Sequence, residues 1–275
     1  MKASHHPAST DPGRGSSLPG TSQRNRSGIV LILVFMLLPI LAHGAGPLRV
    51  ATEGAYPPFN YLDEQGRLTG FDVDLARALC AALETECTFT AVPWEELIPR
   101  LESGEYDVIV ASMARTPERE QRVDFTEHYY RSRSAFVARS GSGLQPDRQN
   151  LRGKRLAAPV GSVQAEYLVR RYADIADIVT PPTSGDAFAM LAAGEVDAVL
   201  SDSLNGLDFL DSERGREFDF VGDALPPEDV SGAAHIAVRK GELALVKRLN
   251  RALARIRMEG TYDRINHRYF PFSIY

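Results

Sequence analysis

Two segments ninety residues apart follow one pattern. Gly104-Glu105-Tyr106-Asp107-Val108-Ile109-Val110-Ala111-Ser112 and Gly194-Glu195-Val196-Asp197-Ala198-Val199-Leu200-Ser201-Asp202 each run from a glycine through an aspartate into three apolar residues and a small, polar ending. Each also follows apolar residues at helical spacing: Leu97, Ile98 and Leu101 before the first, Phe188, Met190 and Leu191 before the second. A helix, a glycine stop and a short apolar run mark a buried strand of a parallel α/β sheet. Ligands bind beyond the carboxyl ends of such strands. The repeat therefore predicts Ser112 and Asp202 at equivalent positions in two similar lobes, with a ligand held between them. Gly-x-x-Asp used twice as ordinary turn chemistry is the competing reading, and the matching flanks weigh against it.

Charge narrows the partner class. The 275 residues are 44% hydrophobic and 24% charged, enough for one or two domains with a substantial core. Net charge is −5, and residues 1–45 hold four Lys/Arg against one Asp, leaving −8 for the remainder. So acidic a body lacks the basic face that nucleic acid requires.

Residues 1–45 read as a secretory signal peptide. Arg24 and Arg26 precede an apolar run of about 14 residues from Ile29 to Ala42, and small residues follow it. A membrane anchor is the alternative, but a spanning helix needs roughly 20 apolar residues. Cleavage near Gly44 or Ala45 predicts a soluble periplasmic product. No cysteine stands there, so no lipid anchor is expected. The only cysteines, Cys80 and Cys87, fall where a helix at 74–83 hands over to a strand at 87–92. Export favours a disulfide there. Two cysteines without a neighbouring histidine make a poor metal site, and no metal or cofactor is expected.

Leu48–Thr52 reads as a first strand, followed by an extended loop at 53–59 that two prolines keep from helix. A turn at Asp63–Gly66 and a helix with Phe71, Leu75, Leu79 and Leu83 on one face come next. Trp94–Ser103 reads as a helix leading into the first repeat strand. Thr116 before Pro117 reads as an N-cap with proline at the first helical position. Ser140–Pro146 is the clearest compositional boundary, with a second lobe starting at the Lys154–Ala158 strand. Helices over 186–193 and 204–210 flank the second repeat strand, and Ala234–Arg239 reads as a strand returning to the first lobe. The last helix, 242–259, stops at Gly260, and the aromatic tail Tyr262–Tyr275 is expected to pack on lobe one.

Arg119, in a helix first turn, suits a carboxylate: its fork binds both oxygens and the helix end adds a favourable dipole. A plain surface arginine is the alternative. Asp202 reads equally as the N-cap of the following helix. Gly161-Ser162-Val163 offers backbone N–H groups at a helix start, or an ordinary capped turn.

Taken in order, Thr52-Glu53-Gly54-Ala55-Tyr56-Pro57-Pro58-Phe59, Gly70-Phe71-Asp72-Val73-Asp74-Leu75, Thr116-Pro117-Glu118-Arg119, Val123-Asp124-Phe125-Thr126, Tyr129-Tyr130 and Gly260-Thr261-Tyr262-Asp263 carry a resemblance over residues 48 to about 273. The chain resembles the periplasmic polar-amino-acid-binding proteins of ABC importers, in their lysine/arginine/ornithine and arginine branch. The resemblance implies the two-lobed periplasmic binding protein fold (type II) of the α/β class, each lobe a mostly parallel sheet flanked by helices. Two hinge strands near 131–139 and 227–238 then divide the chain into lobe one (46–133), lobe two (134–234) and a return to lobe one (235–275). It also implies a Cys80–Cys87 disulfide.

The resemblance assigns Arg119 to the ligand carboxylate and Asp202 to its ammonium, with Ser112 assisting. Tyr56 and Trp94, alternatively core residues, sandwich the ligand side chain, gaining cation–π attraction of about 0.5–2 kcal/mol. Glu53 faces a distal positive charge. Ala111, Pro159, Ser162, Val163 and Gln164 complete the expected wall. Ala114 and Val163 stand where the family usually carries hydroxyls, and the segment Ser231-Gly232-Ala233-Ala234-His235 is altered too. Each lost hydroxyl costs roughly 1–3 kcal/mol if its ligand partner stays unpaired.

The expected function is capture of a cationic L-amino acid (arginine, lysine or ornithine) for a membrane permease, by a monomer without cofactor. Histidine or opine binding is an alternative; so is a cyclohexadienyl (arogenate or prephenate) dehydratase on the same fold, or a sensor module. His128, His235 and His267 lie apart, and no His-Glu-x-x-His, Gly-x-Ser-x-Gly or phosphate loop occurs. No catalytic residue is expected.

Overall fold

A computed structural model describes residues 46–275. The expected signal peptide lies outside the described residues. Among those described, no helix is long and apolar enough to cross a membrane.

The first half of the chain runs β1 (Leu48–Thr52), β2 (Ala55–Tyr56), β3 (Asn60–Leu62), β4 (Leu68–Thr69), α1 (Phe71–Ala82), β5 (Cys87–Ala91), α2 (Trp94–Glu102), β6 (Val108–Ala114), α3 (Pro117–Glu120) and β7 (Val123–Arg131). It continues through β8 (Ser134–Arg139), β9 (Arg155–Ala157), α4 (Val163–Tyr172), β10 (Asp177–Val179), α5 (Ser184–Ala192), β11 (Ala198–Asp202), α6 (Ser203–Asp211) and β12 (Phe218–Val221). β13 (Ala233–Arg239), α7 (Leu243–Met258) and α8 (Thr261–Tyr269) close it.

Two five-stranded sheets form, ordered β5-β1-β6-β13-β7 and β10-β9-β11-β8-β12. They match strand for strand around the repeat. β6 lies parallel to β1, and β11 lies parallel to β9. The repeated aspartates explain the match. Asp107 accepts the Arg49 backbone N–H at 3.0 Å and returns its own N–H to Arg49 O at 2.9 Å. Asp197 does the same with Arg155, at 2.7 and 2.8 Å. Each carboxylate thus locks the register of a parallel strand pair at its entry, which turn chemistry alone does not do.

Each sheet is parallel over three strands and antiparallel over its other two, more mixed than the expected mostly parallel sheet. The antiparallel strands β7, β8 and β13 flank the crossings between sheets. Those crossings fall between Arg131 and Ser134, and between Val221 and Ala233. The Ser140–Pro146 boundary is therefore corrected. It is a loop inside the second sheet, because β8 before it already pairs with β11 and β12. Its glycines and proline mark a surface connection and not a passage between lobes.

α2 shows how the layers hold. Leu97 and Leu101 on its inner face are fully buried beside Ala51 and Ile109, each worth about 2 kcal/mol of burial. The aromatic tail is not loop alone: it opens as α8, with Gly260 at φ +70 as the pivot from α7. Tyr262, Ile265, Phe270 and Ile274 join the first-lobe core. Cys80 and Cys87 are joined, tying the end of α1 to β5.

Candidate ligand-binding site

β6 and β11 end at the same cleft, as the repeat predicts. There residues of both sheets line a common cavity. All twelve predicted wall residues line it. Glu53, Tyr56, Trp94, Ala111, Ser112, Ala114 and Arg119 come from the first-sheet side. Pro159, Ser162, Val163, Gln164 and Asp202 come from the second. Missed by the sequence reading were Tyr130, Val160, Ser184, Ser201 and the return segment Ser231–Ala233. Tyr130 had a signal in the aromatic pair at 129–130. It stacks on Phe59 at 4.6 Å, and Phe59 in turn stacks on Tyr56 at 5.6 Å, so the cavity aromatics rest on the core.

Arg119 is held by both sides. Its Nη1 donates to Ala114 O at 2.7 Å and its Nη2 donates to Gly161 O at 2.9 Å, across the cleft. Trp94 Nε1 donates to the same Gly161 oxygen at 3.1 Å, and the guanidinium lies 5.2 Å from the Trp94 ring. Thr116 caps α3, its hydroxyl accepting the Arg119 N–H at 3.3 Å. No carboxylate pairs with this guanidinium among the described residues. Burial pulls its pKa below the ordinary value, with Glu166 and Glu118 opposing.

Asp202 performs both of its sequence readings. It caps α6 by accepting the Leu204 N–H at 2.9 Å, and it also lines the cavity. Ser132 Oγ, at the crossing between sheets, donates to its other oxygen. Burial holds its carboxyl at about 6, against the lowering pull of Ser132 and of the α6 backbone N–H groups. Glu53 makes no hydrogen bond or ion pair among the described residues, and burial, with Asp72 nearby, raises it to about 7. Ser162 is likewise both cap and wall, accepting the Ala165 N–H at 3.1 Å.

Ser112 sits at φ +53, left-handed backbone that non-glycine residues rarely adopt. A buried network that sequence reasoning missed holds it there. Asp72, fully buried, accepts from Ser112 Oγ at 2.9 Å, Tyr129 OH at 2.8 Å and Asn60 Nδ2 at 2.8 Å. The Ser112 N–H donates to Tyr129 OH at 2.8 Å. Burial leaves Asp72 at about 6 despite three donors. The site can therefore bind an anion at Arg119 and cations at Glu53 and Asp202, between aromatic walls. Among the described residues no cluster of His, Cys, Asp and Glu could hold a metal ion.

Two mixed sheets crossed twice by the chain, with a charged cavity between them, define a two-lobed solute-binding protein. The chain belongs to the bacterial extracellular solute-binding proteins of family 3, whose model matches residues 48–272. It is 36% identical to the L-arginine-binding protein of Pseudomonas aeruginosa, over 89% of this chain and 95% of that protein. It is 32% identical to the lysine/arginine/ornithine-binding periplasmic protein of Escherichia coli, over 83% of this chain and 89% of that one. Among solved structures, an ancestral arginine-binding protein bound to arginine superposes with a TM-score of 0.77 at 33% identity, over 83% of this chain and all of that chain.

Proposed function

We propose that the chain is the soluble binding component of an ABC importer for a cationic L-amino acid of the arginine, lysine and ornithine class. The observation that carries this is a charge deficit in the cavity. Glu53 and Asp202 face it without cationic partners, and Arg119 faces it without an anionic one, among the described residues. A ligand with one carboxylate and two cationic groups completes all three. Arg119 takes the carboxylate with help from the α4 start at Ser162, Asp202 and Ser112 take the α-ammonium, and Glu53 takes the far charge. Tyr56 and Trp94 cover the aliphatic stem. The two crossings act as the hinge, opening and closing lobe one on lobe two.

In this reading the protein is a periplasmic monomer that catalyses nothing and hands its ligand to a membrane permease. The arginine- and lysine/arginine/ornithine-binding relatives support the substrate class. Titration calorimetry with arginine, lysine, ornithine, histidine and glutamine tests it. Micromolar or tighter binding of a cationic member is expected, and binding of none overturns the proposal. Formation of phenylpyruvate or phenylalanine from prephenate or arogenate would overturn its non-enzymatic part.

A further inference from the structure

Three buried side-chain polar atoms have no hydrogen-bond partner among the described residues: Thr52 Oγ1, His128 Nε2 and Ser184 Oγ. Of these residues only Ser184 lines the cavity. It is 3% exposed, so bulk water does not satisfy its hydroxyl. A buried hydroxyl left unpaired is destabilising, and a cavity that carries one is completed by a ligand group that pairs with it.

Ser184 opens α5, a helix of nine residues. α5 packs against β2, so Ser184 shares its wall with Glu53 and Tyr56, the side assigned above to the far end of the ligand. A bare helix N-terminus would repel a cation there. Here Asp186 offsets it. Its carboxylate accepts from the Thr183 N–H at 3.2 Å and from the Thr183 hydroxyl at 2.7 Å, closing a capping box directly beside Ser184. The Ser184 oxygen is therefore left as a neutral acceptor in the cavity that Glu53 also lines.

We propose that Ser184 is a specificity residue for the far end of the ligand, its hydroxyl accepting one guanidinium N–H while Glu53 accepts others, so that the pair favours L-arginine over L-lysine. The inference rests on the amino-acid-binding reading. The chemistry follows from donor geometry. A guanidinium spreads five N–H donors over a planar fork and can serve acceptors on two lobes at once. An ammonium presents three donors from one point, and Glu53 with water satisfies them.

The test is calorimetry of wild-type, Ser184→Ala and Ser184→Thr proteins with L-arginine, L-lysine and L-citrulline, alongside thermal melts without ligand. Ser184→Ala should weaken arginine about tenfold, one charge-assisted hydrogen bond, and lysine less than threefold. Ser184→Thr keeps the hydroxyl and should restore the arginine-to-lysine ratio, while unliganded Ser184→Ala should melt no lower than wild type, because it removes an unpaired buried hydroxyl. Arginine and lysine falling together, or neither falling, overturns the assignment. So does citrulline binding wild type more tightly than arginine, because Ser184 would then be donating to a ureido carbonyl. Wild-type protein that binds arginine while Ser184→Ala leaves the ratio unchanged refutes only the Ser184 role. Wild-type protein that binds no amino acid refutes the underlying reading as well.

Discussion

Glu53 is the residue whose replacement should separate cationic from neutral ligands, and pH exposes it. Burial holds its carboxyl at about 7, and that of Asp202 at about 6. A cationic ligand binds the ionised forms. On lowering the pH from 8 to 5.5, the ionised fraction of a group with pKa 7 falls about thirtyfold, and that of a group with pKa 6 about fourfold. Arginine affinity should therefore drop by roughly a hundredfold across that interval, because both carboxylates must be deprotonated on binding. Glutamine engages Asp202 alone and should lose only about fourfold. Glu53→Gln should weaken arginine at pH 8 by about 2 kcal/mol, roughly thirtyfold, and reduce its pH dependence to the glutamine slope. Calorimetry at both pH values, in buffers of differing ionisation enthalpy, reads affinity and proton release together. If arginine and glutamine share one pH slope in the wild type, or Glu53→Gln keeps the wild-type arginine slope, Glu53 does not face the ligand cation.

The same group sets a stability trend of opposite sign. Its folded-state pKa lies above the ordinary 4.5, so its protonated form is the one the fold favours. The contribution is fully present below about pH 4.5 and is lost as pH rises through 7, an effect on the order of 3 kcal/mol. Unliganded protein should melt lower at pH 8 than at pH 5.5 through this group, and Glu53→Gln should remove its share of the difference, leaving the smaller share of Asp202 and Asp72. Saturating arginine should reverse it, since binding is tightest at high pH.

Arg119→Met should abolish binding of every amino acid tested, a loss of at least about a hundredfold by calorimetry, because it removes the cavity arginine proposed to take the carboxylate. Gly161→Ala should weaken closure: Gly161 lies at φ +65, and an added Cβ would stand 3.1 Å from Trp94 Nε1 and 3.2 Å from Cδ1. The left-handed backbone alone costs about 1–2 kcal/mol of fold stability, read as a lower melting temperature without ligand, and the Cβ pressed on Trp94 should weaken arginine binding and enlarge the radius of gyration of the liganded protein in solution scattering. Cys80→Ser with Cys87→Ser should lower stability by about 2–3 kcal/mol in denaturant titration and leave arginine affinity unchanged, since neither cysteine lines the cavity.

The sequence displayed the fold wherever a local rule and the tertiary structure agreed. Thr116-Pro117 began α3, Leu97 and Leu101 showed the buried face of α2, and the repeat marked the two cleft-facing strands. It misled at Ser140–Pro146, because glycine and proline signal an exposed turn whether or not a lobe ends there. The inter-lobe crossing at 131–134 lacks such a signal: it is a short step between two strands. In the site, charged and aromatic residues were legible through their chemistry and the family resemblance. Asp72 was not. In the sequence it reads as one acidic residue in the first turn of an amphipathic helix, and its three donors come from Asn60, Ser112 and Tyr129, far along the chain. Ser184 escaped for a similar reason. The predicted helix began at Asp186, and the Thr183–Asp186 capping box that starts it two residues earlier went unread.

The placement of charges also accounts for how a ligand can drive closure. Lobe one carries Arg119 and Glu53, and lobe two carries Asp202. The lobes are joined at the cavity by Arg119 and Trp94 donating to a single Gly161 carbonyl, and beyond it by Asn205 Nδ2 donating to Pro57 O at 2.6 Å. Those are bonds to neutral carbonyls, each worth about 1–3 kcal/mol even with a charged donor, while Arg119, Glu53 and Asp202 have no partner of opposite charge among the described residues. An amino acid that touches Arg119 through its carboxylate and Asp202 through its ammonium pairs charges from both lobes at once, and its affinity for the closed form exceeds that for the open one. Ala114 and Val163, apolar where the family usually carries hydroxyls, sharpen this dependence. With fewer neutral hydrogen bonds available, a larger share of recognition falls on the ion pairs. Methyl-ester arginine, which keeps both cations and loses the carboxylate, should therefore bind at least about a hundredfold more weakly than arginine. Solution scattering should find it unable to compact the protein, and compaction by the ester would mean that closure does not run through Arg119.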